Sequence, residues 1–82
     1  MLIKNKDVRE VLSEIPEGHL HIRTTVTLQD SSSITFQEAT IANLVRAYIN
    51  VKTHPAKTRS ILKSTFLQDR KEGFAEWQLI EV

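Results

Sequence analysis

The stretch from Thr35 to Lys52, TFQEATIANLVRAYINVK, constrains the chain more than any other. Ile41, Leu44, Val45, Tyr48 and Ile49 recur at i, i+3, i+4, i+7 and i+8, the spacing of a single helical face. Thr35 and Glu38 have the separation of a capping box, in which a hydroxyl accepts from the third amide while the carboxylate reaches back. Pro55 bars His54 from helical geometry, so the helix must stop near Lys52 or Thr53. A helix with such a stripe needs an apolar surface to cover. On this reading Leu44 is a core residue, and its truncation to alanine is expected to cost about 2–4 kcal/mol.

The flanking segments supply strands. From His19 the period falls to two: Leu20, Ile22, Thr24, Val26 and Leu28 alternate with His19, His21, Arg23, Thr25 and Thr27. This predicts a half-buried strand with the even positions facing inward. Asp30-Ser31-Ser32 is turn chemistry, because short oxygen-bearing side chains bond nearby amides. Ile34 and Phe36 continue the alternation, which makes a hairpin.

After Pro55, Thr58, Ser60, Leu62, Ser64 and Phe66 form the inward set, since burying Lys57, Arg59 and Lys63 unpaired would cost several kcal/mol each. Ile61 is thereby left on the wet side or at a bulge. Asp69-Arg70-Lys71-Glu72-Gly73 reads as the next turn, Gly73 being free to take positive φ. In the final run, FAEWQLIEV, Ala75, Trp77 and Leu79 share one face and Phe74, Ile80 and Val82 the other. Ahead of all this, Val8, Val11, Leu12 and Ile15 fall at i, i+3, i+4 and i+7, which predicts a short amphipathic helix capped by Asn5 or Asp7 and ended by Pro16-Glu17-Gly18.

The expected fold is therefore α+β in the order helix, strand, strand, helix, strand, strand. A four-stranded, mainly antiparallel sheet carries both helices on one face, in a single domain spanning 1–82. Leu28-Gln29-Asp30 and Leu67-Gln68-Asp69 recur 39 residues apart and suggest a duplicated unit. The inward parity, however, does not carry over between the halves.

Composition bounds the function. Among 82 residues there is no cysteine, hence no disulfide, thiolate metal site or cysteine nucleophile. The expected compartment is the cytoplasm: Lys4 and Lys6 interrupt any leader-like apolar core, and no run approaches the ~20 residues that span a bilayer. No membrane association is expected.

The net charge of +1 conceals a basic middle. No acid lies between Glu38 and Asp69, whereas Arg46, Lys52, Lys57, Arg59 and Lys63 all do. Arg23, Lys52, Lys57, Arg59 and Lys63 are accordingly the candidate contacts to an anion or nucleic acid. A sheet that reads single strands also stacks bases on aromatic rings, and Phe74 is the only aromatic residue expected on the outer face. A solvated basic face is the plainer interpretation.

Catalytic and metal chemistry find little purchase. His19 and His21 share one side of a strand and His54 follows the helix, yet no His-x-x-x-His or Glu-x-x-His spacing occurs. Ser31, Ser32 and Ser33 lack a nucleophile elbow, and Gly18 and Gly73 stand alone, so no phosphate-cradling loop is present. The expectation is a non-enzymatic interaction module with no metal and no cofactor. Phe74, Trp77, Ile80 and Val82 are the candidate self-association residues of a homodimer, because an apolar set left to solvent marks an interface. The runner-up is a nucleic-acid or polyanion binder built on the basic segment.

Overall fold

The computed structural model describes residues 1–66 and 75–81, with one helix and two antiparallel sheets. A 3-10 turn at Asn5–Asp7 leads into β1 (Val8–Glu14), followed by β2 (Arg23–Leu28), β3 (Ser33–Gln37), α1 (Glu38–Lys52), β4 (Ile61–Phe66) and β5 (Ala75–Glu81). Strands β1, β2 and β3 form one sheet with β2 in the centre, while β4 and β5 form a separate ribbon. The chain divides into two compact units, Met1–Ile41 and Ala42–Val82.

Two sequence expectations are overturned here. Val8–Glu14 is a strand rather than a helix, and a three-stranded and a two-stranded sheet with one helix replace the four-stranded sheet with two. The reason lies in the pairing of β1 with β2. Val8 faces Leu28 and Glu10 faces Thr27, so Arg9 is an extra residue opposite no partner. Such a bulge reverses the side-chain parity of its strand. Val8 and Val11, three apart, consequently reach the same side of a pleated strand, a spacing that otherwise signals a helix.

Leu12, which the helical reading grouped with them, falls on the opposite face and is exposed. With β1 filling the place beside β2, the hairpin β2–β3 is completed from the N-terminal side, and β4 pairs with β5. A strand in place of the first helix also removes the proposed duplication.

Register then sorts the first sheet into two faces. Val8, Val11, Ser13, Thr24, Val26, Leu28, Ile34 and Phe36 share one, with Val11, Val26 and Ile34 in a single cross-strand row. Glu10, Leu12, Glu14, Arg23, Thr25, Thr27, Ser33, Thr35 and Gln37 share the other. Hydroxyl pairs lock the rows: Ser13 Oγ lies 2.7 Å from Thr24 Oγ1 and Thr25 Oγ1 lies 2.8 Å from Thr35 Oγ1. Thr35 is thus committed to β3 and not to capping the helix, which begins three residues later.

Two turns join these strands. Pro16–His19 closes with His19 N–H donating to the Pro16 carbonyl at 3.0 Å, and Gly18 at its third position has φ 80°. That positive φ is what glycine supplies there. The β2–β3 loop is built differently. Ser31 N–H donates to the Leu28 carbonyl and Leu28 N–H to the Ser32 carbonyl, with Ser31 left-handed at φ 74°. Asp30 accepts from the Ser32 amide at 2.9 Å and from its hydroxyl at 2.5 Å. These bonds, the hydroxyl first, hold the Asp30 carboxyl below the ordinary carboxylate range. Arg9, the bulged residue, donates to Ser31 Oγ at 3.0 Å.

A glycine normally occupies the left-handed position of such a loop. Ser31→Gly is therefore expected to leave stability unchanged or raise it by about 0.5 kcal/mol, whereas Ser31→Val should lower it by about 1–2 kcal/mol. Urea unfolding of both variants checks this, and equal stability would mean that residue 31 is not left-handed.

Pro55 does end α1 near Lys52, as the sequence predicts. The last turn is closed by side chains: Thr53 Oγ1 donates to the Ile49 carbonyl at 2.8 Å, and His54 Nδ1 stands 2.7 Å from the Asn50 carbonyl. A carbonyl only accepts, so Nδ1 carries the proton of this bond. Lys52 adds a positive charge where the helix dipole is negative.

Candidate functional site

None of residues 1–64, 77 and 78 is buried, and many of their large apolar side chains are exposed. On α1 the sequence places Ile41, Leu44, Val45, Tyr48 and Ile49 against a sheet. The structure reverses this: Leu44 is 54 % exposed, Val45 47 %, Tyr48 64 % and Ile49 47 %. The half-buried positions are Glu38, Thr40, Ile41, Asn43, Ala47, Asn50 and Val51; Glu38 and Ile41 belong to the stripe side, Val51 borders it, and Thr40, Asn43, Ala47 and Asn50 lie on the other side and are small or polar. Asn50 Nδ2 donates to Ser60 Oγ at 3.0 Å from that side. The amphipathic stripe exists as predicted, but it faces outward.

The first sheet carries a second apolar surface. Val26, Leu28 and Phe36 are half-buried, Val11 is 58 % exposed, and Ile34 also stands out. Sequence reasoning placed Val26, Leu28, Ile34 and Phe36 on strands but missed that Val8 and Val11 extend the same row, because Arg9 breaks the alternation that would have disclosed it.

In the second unit a shallow cavity of about 440 Å3 runs along α1, floored by Ala42, Val45 and Ile49 and edged by Arg46, Asn50, Thr53 and His54. Its polar groups already have partners: Arg46 donates to the Trp77 carbonyl at 3.3 Å, Asn50 to Ser60, Thr53 to Ile49 and His54 to Asn50. What the cavity offers is aliphatic surface continuous with the Leu44–Tyr48 patch.

The candidate basic residues are divided. Arg23 opens β2 in the first unit, opposite Glu14 on one side and Gln37 on the other. That carboxylate in the neighbouring register position offsets its attraction for a phosphate. Lys52, Lys57, Arg59 and Lys63 belong to the second unit, on the last helical turn, the connection after it, and β4. Lys63 pairs in register with Gln78, on the face of the ribbon opposite to Leu62, Ser64 and Trp77.

Of the proposed self-association residues, Trp77 is half-buried in β5 and Ile80 falls at the register irregularity between the Ile61–Glu81 and Leu62–Leu79 pairs. Phe74 and Val82 lie outside the described residues. His21 Nδ1 is 3.0 Å from Glu38, an exposed pair that ties the approach to β2 to the first turn of α1. Among the described residues no three His, Cys, Asp or Glu side chains cluster as metal ligands, and no helix is long and apolar enough to cross a membrane. No protein family, curated protein or solved structure matches the chain.

Proposed function

We propose that this chain is a non-enzymatic interaction module that completes its hydrophobic packing by associating with a copy of itself. The observation that carries the reading is that none of residues 1–64, 77 and 78 is buried while Leu44, Val45, Tyr48 and Ile49 stand out from α1 and Val11 and Ile34 from the first sheet. Each 100 Å2 of apolar surface removed from water contributes about 2.5 kcal/mol. A chain of this size has little stability to spare without that contribution. Three strands with one apolar face likewise need a cover to persist. Small soluble proteins that leave such patches open use them as interfaces.

Sedimentation equilibrium between about 1 and 200 μM tests the proposal. The expected mass rises above the 9.4 kDa of one chain and remains raised as salt increases, because apolar contacts are not weakened by salt. A 9.4 kDa species at every concentration would overturn it. The polyanion reading predicts instead a monomer that binds a single-stranded oligonucleotide and loses it steeply with salt through counterion release.

A further inference from the structure

From the pattern on α1 we infer that the helix pairs antiparallel with α1 of a second copy, about a two-fold axis at Val45. The inference deepens the self-association proposed above and rests on it. Glu38 and Lys52 are the first and last residues of the helix. They stand fourteen residues apart, close to four full turns, so both project from the side that carries Leu44, Val45, Tyr48 and Ile49. The exposed stripe is thus bracketed by an acid at one end and a base at the other, with Val45 seven residues from each.

An antiparallel dyad at Val45 brings Glu38 against Lys52 of the second copy at both ends, Ile41 against Ile49, and Val45 against itself. A parallel pair would set Glu38 on Glu38 and Lys52 on Lys52. The stripe is therefore complementary to itself in one orientation alone, which is what an isologous contact requires. Opposed helix dipoles favour the same orientation. No other acid interrupts the helix, and Arg46, the remaining charge, turns to the Trp77 carbonyl.

The exposed parts of the four large side chains offer on the order of 400 Å2 per copy, about half of a standard interface.

Charge reversal reads the geometry directly. In sedimentation equilibrium at low salt, Lys52→Glu and Glu38→Lys are each expected to weaken association about five- to tenfold, since each turns two attractions per dimer into two repulsions. The double variant Glu38→Lys/Lys52→Glu should return to within about twofold of the unaltered chain. Lys52→Glu leaves the His21–Glu38 pair untouched, so its effect is free of that loss; circular dichroism verifies that all variants keep their helix. If the four proteins associate equally, the antiparallel helix pair is wrong while self-association stands. A parallel pair would leave Lys52→Glu unchanged, like facing like in either case. If the unaltered chain is monomeric throughout, self-association fails and this contact with it.

Discussion

Val26→Pro is expected to abolish the three-stranded sheet. Val26 lies in β2, which is hydrogen-bonded to β1 on one side and β3 on the other, in the row that joins Val11 to Ile34. Proline removes an amide from this ladder and adds a ring where a neighbouring strand must fit, at a cost of about 3 kcal/mol or more. For a small domain with a few kcal/mol of net stability, that suffices for unfolding. Val26→Thr, which keeps the backbone bonds and the β-branched shape, is the control and should cost no more than about 1–2 kcal/mol. Far-UV circular dichroism and thermal melting distinguish them. A proline variant that melts like the parent would mean that β2 is not central.

The second large effect concerns association. Leu44→Glu combined with Tyr48→Glu places two carboxylates in the middle of the outward stripe and should weaken self-association more than about a hundredfold, because desolvating an unpaired charge costs several kcal/mol. The helix itself should persist, since glutamate is a good helix former and both positions are exposed. By the same exposure, Leu44→Ala is expected to lower the stability of the isolated chain by less than about 1 kcal/mol, in place of the 2–4 kcal/mol that a core leucine would lose. Association that survives the double glutamate variant moves the interface to another surface. Phe74→Ser with Ile80→Ser then reports on the C-terminal strand, the site suggested by the sequence.

What could be read in the residues depended on whether the local pattern was sufficient by itself. The alternation through Thr24, Val26 and Leu28, the turn residues Asp30-Ser31-Ser32, and the stop imposed by Pro55 each act over a few positions, and the corresponding elements are present. The first strand was illegible because Val8, Val11 and Leu12 satisfy a helical template as well as a bulged strand does, and only the partner strand decides between them. Thr35 likewise has the spacing of a cap, but Thr25 across the ladder takes its hydroxyl.

The orientation of α1 lies at a further remove. Periodicity states that Leu44, Val45, Tyr48 and Ile49 share a side, and does not state what that side meets. The candidate basic residues are a related case: Arg23 and the four cations after Tyr48 are linked by charge sign in the sequence, which does not state that pairing sets Arg23 beside Glu14.

Arg9 has a role that its chemistry does not suggest. Its guanidinium makes one exposed bond to a loop hydroxyl, a contact that nearly any replacement could forgo at small expense. As a link in the chain it is the extra residue of the bulge: without it Val8 would directly precede Glu10 and still face Leu28, on the side of Val11 and Val26, so its loss would straighten the strand and leave the aliphatic row intact. The position tolerates a change of letter and also the loss of the residue, so a search for relatives should allow a gap there.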